Sequence, residues 1–329
     1  MPSFLAKHWF LLALGPGVGL ALLFPGSLHP VTDTWEPRTM IAAALFLMAW
    51  TMPTQSLVDE VRQPTASLWA IFLSYGLVPA GAWLLGMLAP ESVQIGLILV
   101  ASVPCTLSSA VLWTRLAGGN EATALLTVLG TTFLSWFLTT AWLKVLTGAV
   151  VELDAFAMML DLVLSLIVPV VLGQALRLIP ACSRGADRYK VLLGALSQCF
   201  VLAIVLKAAV TVGDKLQEDS VANASVIFAW SVSLSVTLHL LTLAIGMITS
   251  RWLGFDRGRQ IAIAFSASQK TLQVSLVLYE QYFKEKFPFA VMPLLFYHIG
   301  QLLLDTVIAK QMARRSNRPI SMEDAPFDP

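Results

Sequence analysis

Apolar runs of membrane-spanning length recur along the chain, separated by short polar stretches. A spanning helix needs about 20 mostly apolar residues, and the runs predict ten such segments: 9–28, 39–57, 66–88, 93–116, 122–146, 156–179, 191–212, 221–253, 261–283 and 289–312. The punctuation between them is compact, as in Asp59-Glu60-Val61-Arg62-Gln63-Pro64, Gly118-Gly119-Asn120-Glu121 and Asp214-Lys215-Leu216-Gln217-Glu218-Asp219. No connection is long enough for a separate soluble domain. The first run holds Pro16 and Pro25, lacks a small-x-small cleavage site and is followed by nine others, so it reads as a span and not as a cleaved signal.

Composition agrees with a membrane protein. Of 329 residues, 57% are hydrophobic and only 12% charged, with a mean hydropathy of +0.75. An ordinary soluble domain carries about 25% charged residues. A soluble enzyme, a disordered chain and a disulfide scaffold are excluded on that ground, and the three cysteines make no framework. The 21 basic and 20 acidic residues balance, so no bulk affinity for nucleic acid is implied. With the N-terminus inside, 14 of the Lys and Arg residues fall on the inner side and six on the outer. By the positive-inside rule both termini are expected in the cytoplasm, in a bacterial inner membrane. The polar residues 316–329, with Pro319, Pro326 and Pro329, are expected to form a disordered tail.

Ten spans divide into five and five, which predicts two inverted repeats over 1–150 and 151–315. Leu14-Gly15-Pro16-Gly17 in the first span and Ile167-Val168-Pro169-Val170 in the sixth echo each other faintly. The fourth and ninth spans carry the stronger signal. Pro104-Cys105-Thr106-Leu107-Ser108-Ser109 interrupts one, and Ser266-Ala267-Ser268-Gln269-Lys270-Thr271 the other. Proline removes a backbone donor and clashes with the preceding turn. Broken backbone cannot face lipid, so both stretches are expected to line protein or a watery cavity.

Lys270 is the sharpest single signal. It lies 11 residues after Arg259 and 14 before Lys284, or roughly 16 and 21 Å along a helix, deep in a core about 30 Å thick. Left charged and unpaired, it would cost at least ~2.5–3.5 kcal/mol. It must be paired, hydrated or deprotonated. Glu121 is a candidate partner. It also suits the first turn of a helix capped by Asn120, where an acid complements the dipole. Asp305 lies either near the interface or as a second buried acid. His239 and His298 read as satisfied buried imidazoles, with no metal-ligand spacing.

At the two broken stretches the sequence resembles the bile acid:sodium symporter superfamily, and more closely its SBF-like branch. The residues that carry the resemblance are Pro104-Cys105-Thr106-Leu107-Ser108-Ser109-Ala110-Val111, then Ala117-Gly118-Gly119-Asn120-Glu121-Ala122, and the stretch from Ser266 to Thr271. The resemblance implies an all-α membrane protein of ten helices, with panel and core subdomains and with helices 4 and 9 broken and crossing. It implies a secondary transporter of small or amphipathic organic anions, with sodium or a proton as coupling ion, no other cofactor and no enzyme activity. The candidate substrate and ion site comprises Ser108, Ser109, Glu121, Thr123, Thr127, Ser266, Ser268, Gln269 and Lys270, of which the resemblance itself implies Ser109, Thr123, Thr127 and Ser268. Ser109, Thr123 and Thr127 form its sodium-site-like part, with Ala110 where relatives carry an asparagine. At the second break relatives place a glutamate shared between two sodium sites and a glutamine four residues on; here those positions are Ala264 and Ser268. The anionic ligand is missing, and Lys270 is expected to replace a sodium ion.

Three rival functions remain open from sequence. One is a metalloid exporter using Cys105 as a soft ligand. Another is a non-transporting regulator on the same fold. The third, an intramembrane hydrolase, would need Ser108 or Ser109 beside His239 or His298, and no compact motif supports it.

Overall fold

The computed structural model describes residues 4–52, 61–107, 109–148, 151, 154–218 and 221–315. Among these every regular element is a helix. In chain order they are α1 (Phe4–Leu23), α2 (Pro25–Thr32), α3 (Pro37–Thr51), α4 (Thr65–Gly86), α5 (Glu91–Ser102), α6 (Ser109–Leu116) and α7 (Glu121–Thr147). There follow α8 (Ala155–Arg177), α9 (Pro180–Arg188), α10 (Lys190–Glu218), α11 (Val221–Trp252), α12 (Arg257–Ser268), α13 (Leu272–Leu278) and α14 (Val291–Arg315). A π-helical turn at Tyr279–Phe283 extends α13, and a 3₁₀ turn at Pro288–Ala290 opens α14. Counting Arg257–Phe283 as one, seven helical stretches among the described residues are long and apolar enough to cross a membrane.

Local chemistry sets the helix ends. Asn120 Oδ1 accepts from Thr123 N at 3.1 Å, Asp154 Oδ1 from Phe156 N at 2.9 Å, and Asp256 Oδ1 from Arg259 N at 3.1 Å. Each satisfies a donor that a helix start leaves open. Gly118 turns the chain between α6 and α7 at φ +76°, a conformation that costs other residues a steric penalty. The first apolar run departs from expectation. Its helix continues through Pro16 and ends before Pro25, giving α1 and α2. The second run ends at Thr51, and the rest of the predicted span, 53–57, lies outside the described residues, as does the tail 316–329.

Two helices widen ahead of a proline. α4 makes a π turn at Leu73–Leu77 before Val78-Pro79, and α8 makes one at Val163–Ile167 before Val168-Pro169. A proline nitrogen cannot close the i→i−4 bond, and a wider turn absorbs the fault.

The distribution of polarity departs from that of a soluble protein at both its surface and its centre. Val145, Phe156, Leu178 and Trp252 are exposed, whereas Lys270, Gln269, Gln301 and Asp305 are fully buried. Lipid-facing surfaces explain the former, and an interior polar site the latter. Helices approach closely at small residues. A Cβ on Gly246 would stand 3.0 Å from Ala264 Cα, and one on Gly96 would meet the Ala290 carbonyl and lie 2.9 Å from the Pro293 ring. The hydrophobic window of Arg257–Phe283 is entirely buried, so the other helices enclose this span.

Candidate functional site

The fourth apolar run is broken between α5 and α6, and the ninth between α12 and α13. The two breaks touch: Thr271 N donates to Pro104 O at 3.0 Å. Every buried backbone group released by a break needs a partner. At the first break Thr139 Oγ1 donates to Ser102 O at 2.7 Å, Lys270 Nζ to Val103 O at 3.1 Å, and Cys105 N to Thr131 Oγ1 at 3.2 Å. At the second, Tyr297 OH donates to Ser268 O at 2.6 Å. The Gln301 amide acts as a substitute peptide for Lys270: its Oε1 accepts from Lys270 N and its Nε2 donates to Lys270 O, both at 3.0 Å. Two exposed loops could not survive here; two mutually bonded breaks can.

Lys270 Nζ makes three hydrogen bonds, to Ser74 O at 2.8 Å, Ser74 Oγ at 2.9 Å and Val103 O at 3.1 Å. Tyr75 presents its ring 5.3 Å from the same nitrogen, within the range of a cation–π contact. The Ser74 carbonyl is available for a specific reason. Val78 N is drawn back to Leu73 O by the π turn, and the next residue is Pro79, which has no N–H to offer. The neighbouring Tyr75 carbonyl, whose α-helical donor would also be Pro79, is taken by Trp142 Nε1 at 2.5 Å. One proline in α4 thus creates the cradle for the lysine of another span. All three ammonium donors are spent on neutral oxygens.

A second network runs beside it. His239 Nε2 and Asp305 Oδ1 lie 2.8 Å apart, and Gln269 Nε2 donates to Asp305 Oδ2 at 2.6 Å. Gln269 Oε1 accepts from Thr106 Oγ1 at 2.7 Å and Ser109 Oγ at 2.6 Å, and those hydroxyls are 2.6 Å from each other. Asp305 is therefore a buried acid, not an interfacial one. His298 Nδ1 sits 3.0 Å from Gln301 Nε2.

The other expected site residues fall out as follows. The candidate pairing of Glu121 with Lys270 is corrected. Glu121 Oε2 is bonded to Arg115 at 2.6 Å on an exposed helix end, because Arg115 closes α6 six residues before Glu121 opens α7. Thr123 and Thr127 are buried, and Thr127 Oγ1 donates to Thr123 O at 2.8 Å. Ser268 Oγ donates to Phe265 O at 3.2 Å, while the buried Ser266 Oγ has no hydrogen-bond partner. Ser108 lies outside the described residues. Ala264, at the position of the missing glutamate, is buried in the close contact with Gly246. Cys105 is buried, and its thiol lies 3.8 Å from Thr106 O, as a packed thiol would. Among the described residues no group of three or more His, Cys, Asp or Glu side chains is placed to hold a metal ion.

Ser74, Tyr75 and Gln301 were absent from the sequence-derived set. Pro79 carried a usable signal for Ser74, since it strands the carbonyls four and five residues before it. Nothing local marks Gln301.

Residues 8–314 match the model of the SBF-like CPA transporter family. The chain is 27% identical over 321 residues to "Sodium/bile acid cotransporter 7" of Danio rerio, covering 92% of each chain. It is 29% identical over 333 residues to an uncharacterized protein of Pseudomonas aeruginosa, covering 95% of each. It is 26% identical over 329 residues to "Probable sodium/metabolite cotransporter BASS4, chloroplastic" of Arabidopsis thaliana, covering 95% of this chain and 74% of the relative.

Proposed function

Because the chain belongs to the SBF-like CPA transporter family, within the bile acid:sodium symporter superfamily, we propose that it carries a small or amphipathic organic anion by alternating access, with the Lys270 ammonium standing where a relative would bind sodium. A multi-pass membrane protein of a transporter family is the premise; substrate class, coupling and mechanism are the proposal. The observation that carries it is the set of three neutral oxygens around Lys270 Nζ. This is the kind of oxygen cage that a hard cation takes, filled by a cation that is part of the chain.

The electrostatics follow. At 4 Å and an effective dielectric of 20, a sodium ion would be repelled by the ammonium by about 4 kcal/mol, or about a thousandfold in affinity. Ala264 supplies no carboxylate to offset this. A sodium-independent cycle follows, or one linked to protons. The fixed positive charge and the N-termini of α6 and α13 at the breaks favour an anion nearby. Since the ammonium's donors are already used, Lys270 joins α4 and the two breaks and acts on the substrate through its field.

In this reading the ten segments form two inverted halves, 1–150 and 151–315, with the fourth and ninth spans (α5–α6 and α12–α13) crossing between them, in a bacterial inner membrane with both termini cytoplasmic. Residues 316–329 form a cytoplasmic tail. The test is uptake of taurocholate and a panel of small carboxylates into proteoliposomes, with sodium, potassium or choline outside. Uptake at equal rates in all three salts is expected. Strict dependence on sodium would overturn the lysine's assignment. Binding with no flux of any probe would select the regulator.

A further inference from the structure

The Asp305–Gln269 network does not close on its protons. Two ends of an amide side chain are told apart by the hydrogen bonds around them. In the arrangement above, Gln269 Nε2 faces Asp305, and Gln269 Oε1 faces the hydroxyls of Thr106 and Ser109. Those three oxygens make three mutual contacts of 2.6–2.7 Å. Two hydroxyls supply two protons. One pair of oxygens would then meet at hydrogen-bond distance with only lone pairs between them. An imidazolium at His239 does not repair this, because its Nε2 proton is already directed to Asp305 Oδ1.

A single added proton and one rotation complete the network. Place the proton on Asp305 Oδ2 and turn the Gln269 amide end for end. The carboxyl O–H then donates to the amide oxygen across the 2.6 Å contact. The two amide N–H groups go one each to Thr106 and Ser109, and a hydroxyl proton fills the contact between those two. His239 keeps its bond to Oδ1 throughout. Every short contact then holds a proton; the added one comes from water, the second hydroxyl proton turns out of the triangle, and no other covalent bond is made or broken.

We propose that Asp305 and Gln269 form a proton-binding site in which the proton's presence sets the orientation of the Gln269 amide, and through it the hydroxyl pair Thr106–Ser109 at the first break. The site joins three parts of the fold: α14 supplies Asp305, the second break Gln269, and the first break the hydroxyls. The titratable groups that interact with Asp305 are His239 from α11, Cys105 from the first break and Tyr297 from its own helix; His298 is bonded to Gln301. Lys270 is engaged with Ser74 and Val103. On other elements packed against α14, Arg115 is bonded to Glu121, Lys207 donates to Trp35 O, and Glu280 is bonded to Lys284. As a coupling site the pair rests on the transporter reading; as a proton site it is tested without transport.

The experiment is infrared difference spectroscopy, between acid and alkaline conditions, on the full chain reconstituted in lipid with potassium chloride. A carbonyl stretch of a buried protonated carboxyl is expected. It should move in D₂O and with ¹³C-carboxyl-labelled aspartate in the wild-type protein, which makes the assignment independent of any variant. It should vanish in Asp305→Asn and shift in Gln269→Leu. The asparagine side chain reproduces the protonated pattern, with its NH₂ donating to Gln269 and its oxygen accepting from His239. Asp305→Asn should therefore keep the wild-type melting temperature while Asp305→Leu loses it. Absence of the band in wild-type protein, or its persistence in Asp305→Asn, overturns the proposal. Loss of the band on exchanging potassium for sodium also overturns it, in favour of a metal ion at the oxygen triangle. Loss of transport with the band intact would sink the carrier reading alone.

Discussion

Lys270→Met should destabilise the protein by about 2–6 kcal/mol and abolish transport. The figure comes from the two carbonyls that the ammonium now satisfies, Ser74 O and Val103 O. Each buried acceptor left without a donor costs about 1–3 kcal/mol. Methionine is chosen because it fills the space of the lysine stem, so the loss of donors is separated from the opening of a cavity. Relief from burying a charge offsets part of the cost. That relief is incomplete, since the ammonium already has three hydrogen bonds and an aromatic face at 5.3 Å. Thermal melting in detergent or lipid measures the first effect and proteoliposome uptake the second. A variant as stable as the wild type, with normal flux, would show that the lysine ties nothing together.

The second large effect belongs to Gln301, a residue with no charge. Gln301→Leu should cost about 2–6 kcal/mol, because both the N–H and the C=O of Lys270 lose their partner in a fully buried place. Gln301→Glu discriminates further. An ionised carboxylate still accepts from Lys270 N but has no proton to donate to Lys270 O. Burial favours the protonated form, which can make both bonds, so the variant should fall between wild type and the leucine variant in melting temperature. Equal losses for the two variants would mean that Gln301 acts by shape alone.

How much of this was written plainly in the chain? The apolar runs located the long helices from α4 onward to within about six residues, because lipid tolerates only closed backbone hydrogen bonding and so enforces long apolar patterns; the short polar helix α9, Pro180–Arg188, matched no run. Pro104 announced the first break. The second break was visible only as a cluster of Ser, Gln, Lys and Thr where apolar residues were due. The burial of Lys270 followed from its distance to both flanks, a one-dimensional argument that a membrane makes valid. Its partners did not follow. Ser74 serves through a backbone carbonyl that Pro79 strands, and Gln301 lies 31 positions away on a helix whose facing side depends on packing. Of the two readings of Glu121, the helix-start one holds, with Asn120 as cap, and the pairing with Lys270 does not. Opposite charge suggested Lys270, whereas the Gly118 turn brings Arg115 within 2.6 Å. At the start of the chain one span was expected over 9–28, and the helix runs through Pro16 and ends before Pro25.

The contact between the two breaks can now be described physically. Two discontinuous helices are stable together because each fills the other's open valences, with an ammonium as the central cross-link. If the protein is a carrier as proposed, moving one break against the other would have to exchange those bonds.

The most direct measurement is thermal stability in sodium chloride against choline chloride at equal ionic strength, for the wild type and for Lys270→Ala. A ligand that binds only the folded state raises stability by RT ln(1 + [L]/Kd). Alanine, unlike methionine, leaves room for an ion beside Ser74 and Val103. If the ammonium stands in for a metal cation, the wild type should melt at the same temperature in both salts, and Lys270→Ala should be raised selectively and saturably by sodium. Saturable stabilisation of the wild type by sodium, undiminished in the lysine's presence, would contradict it.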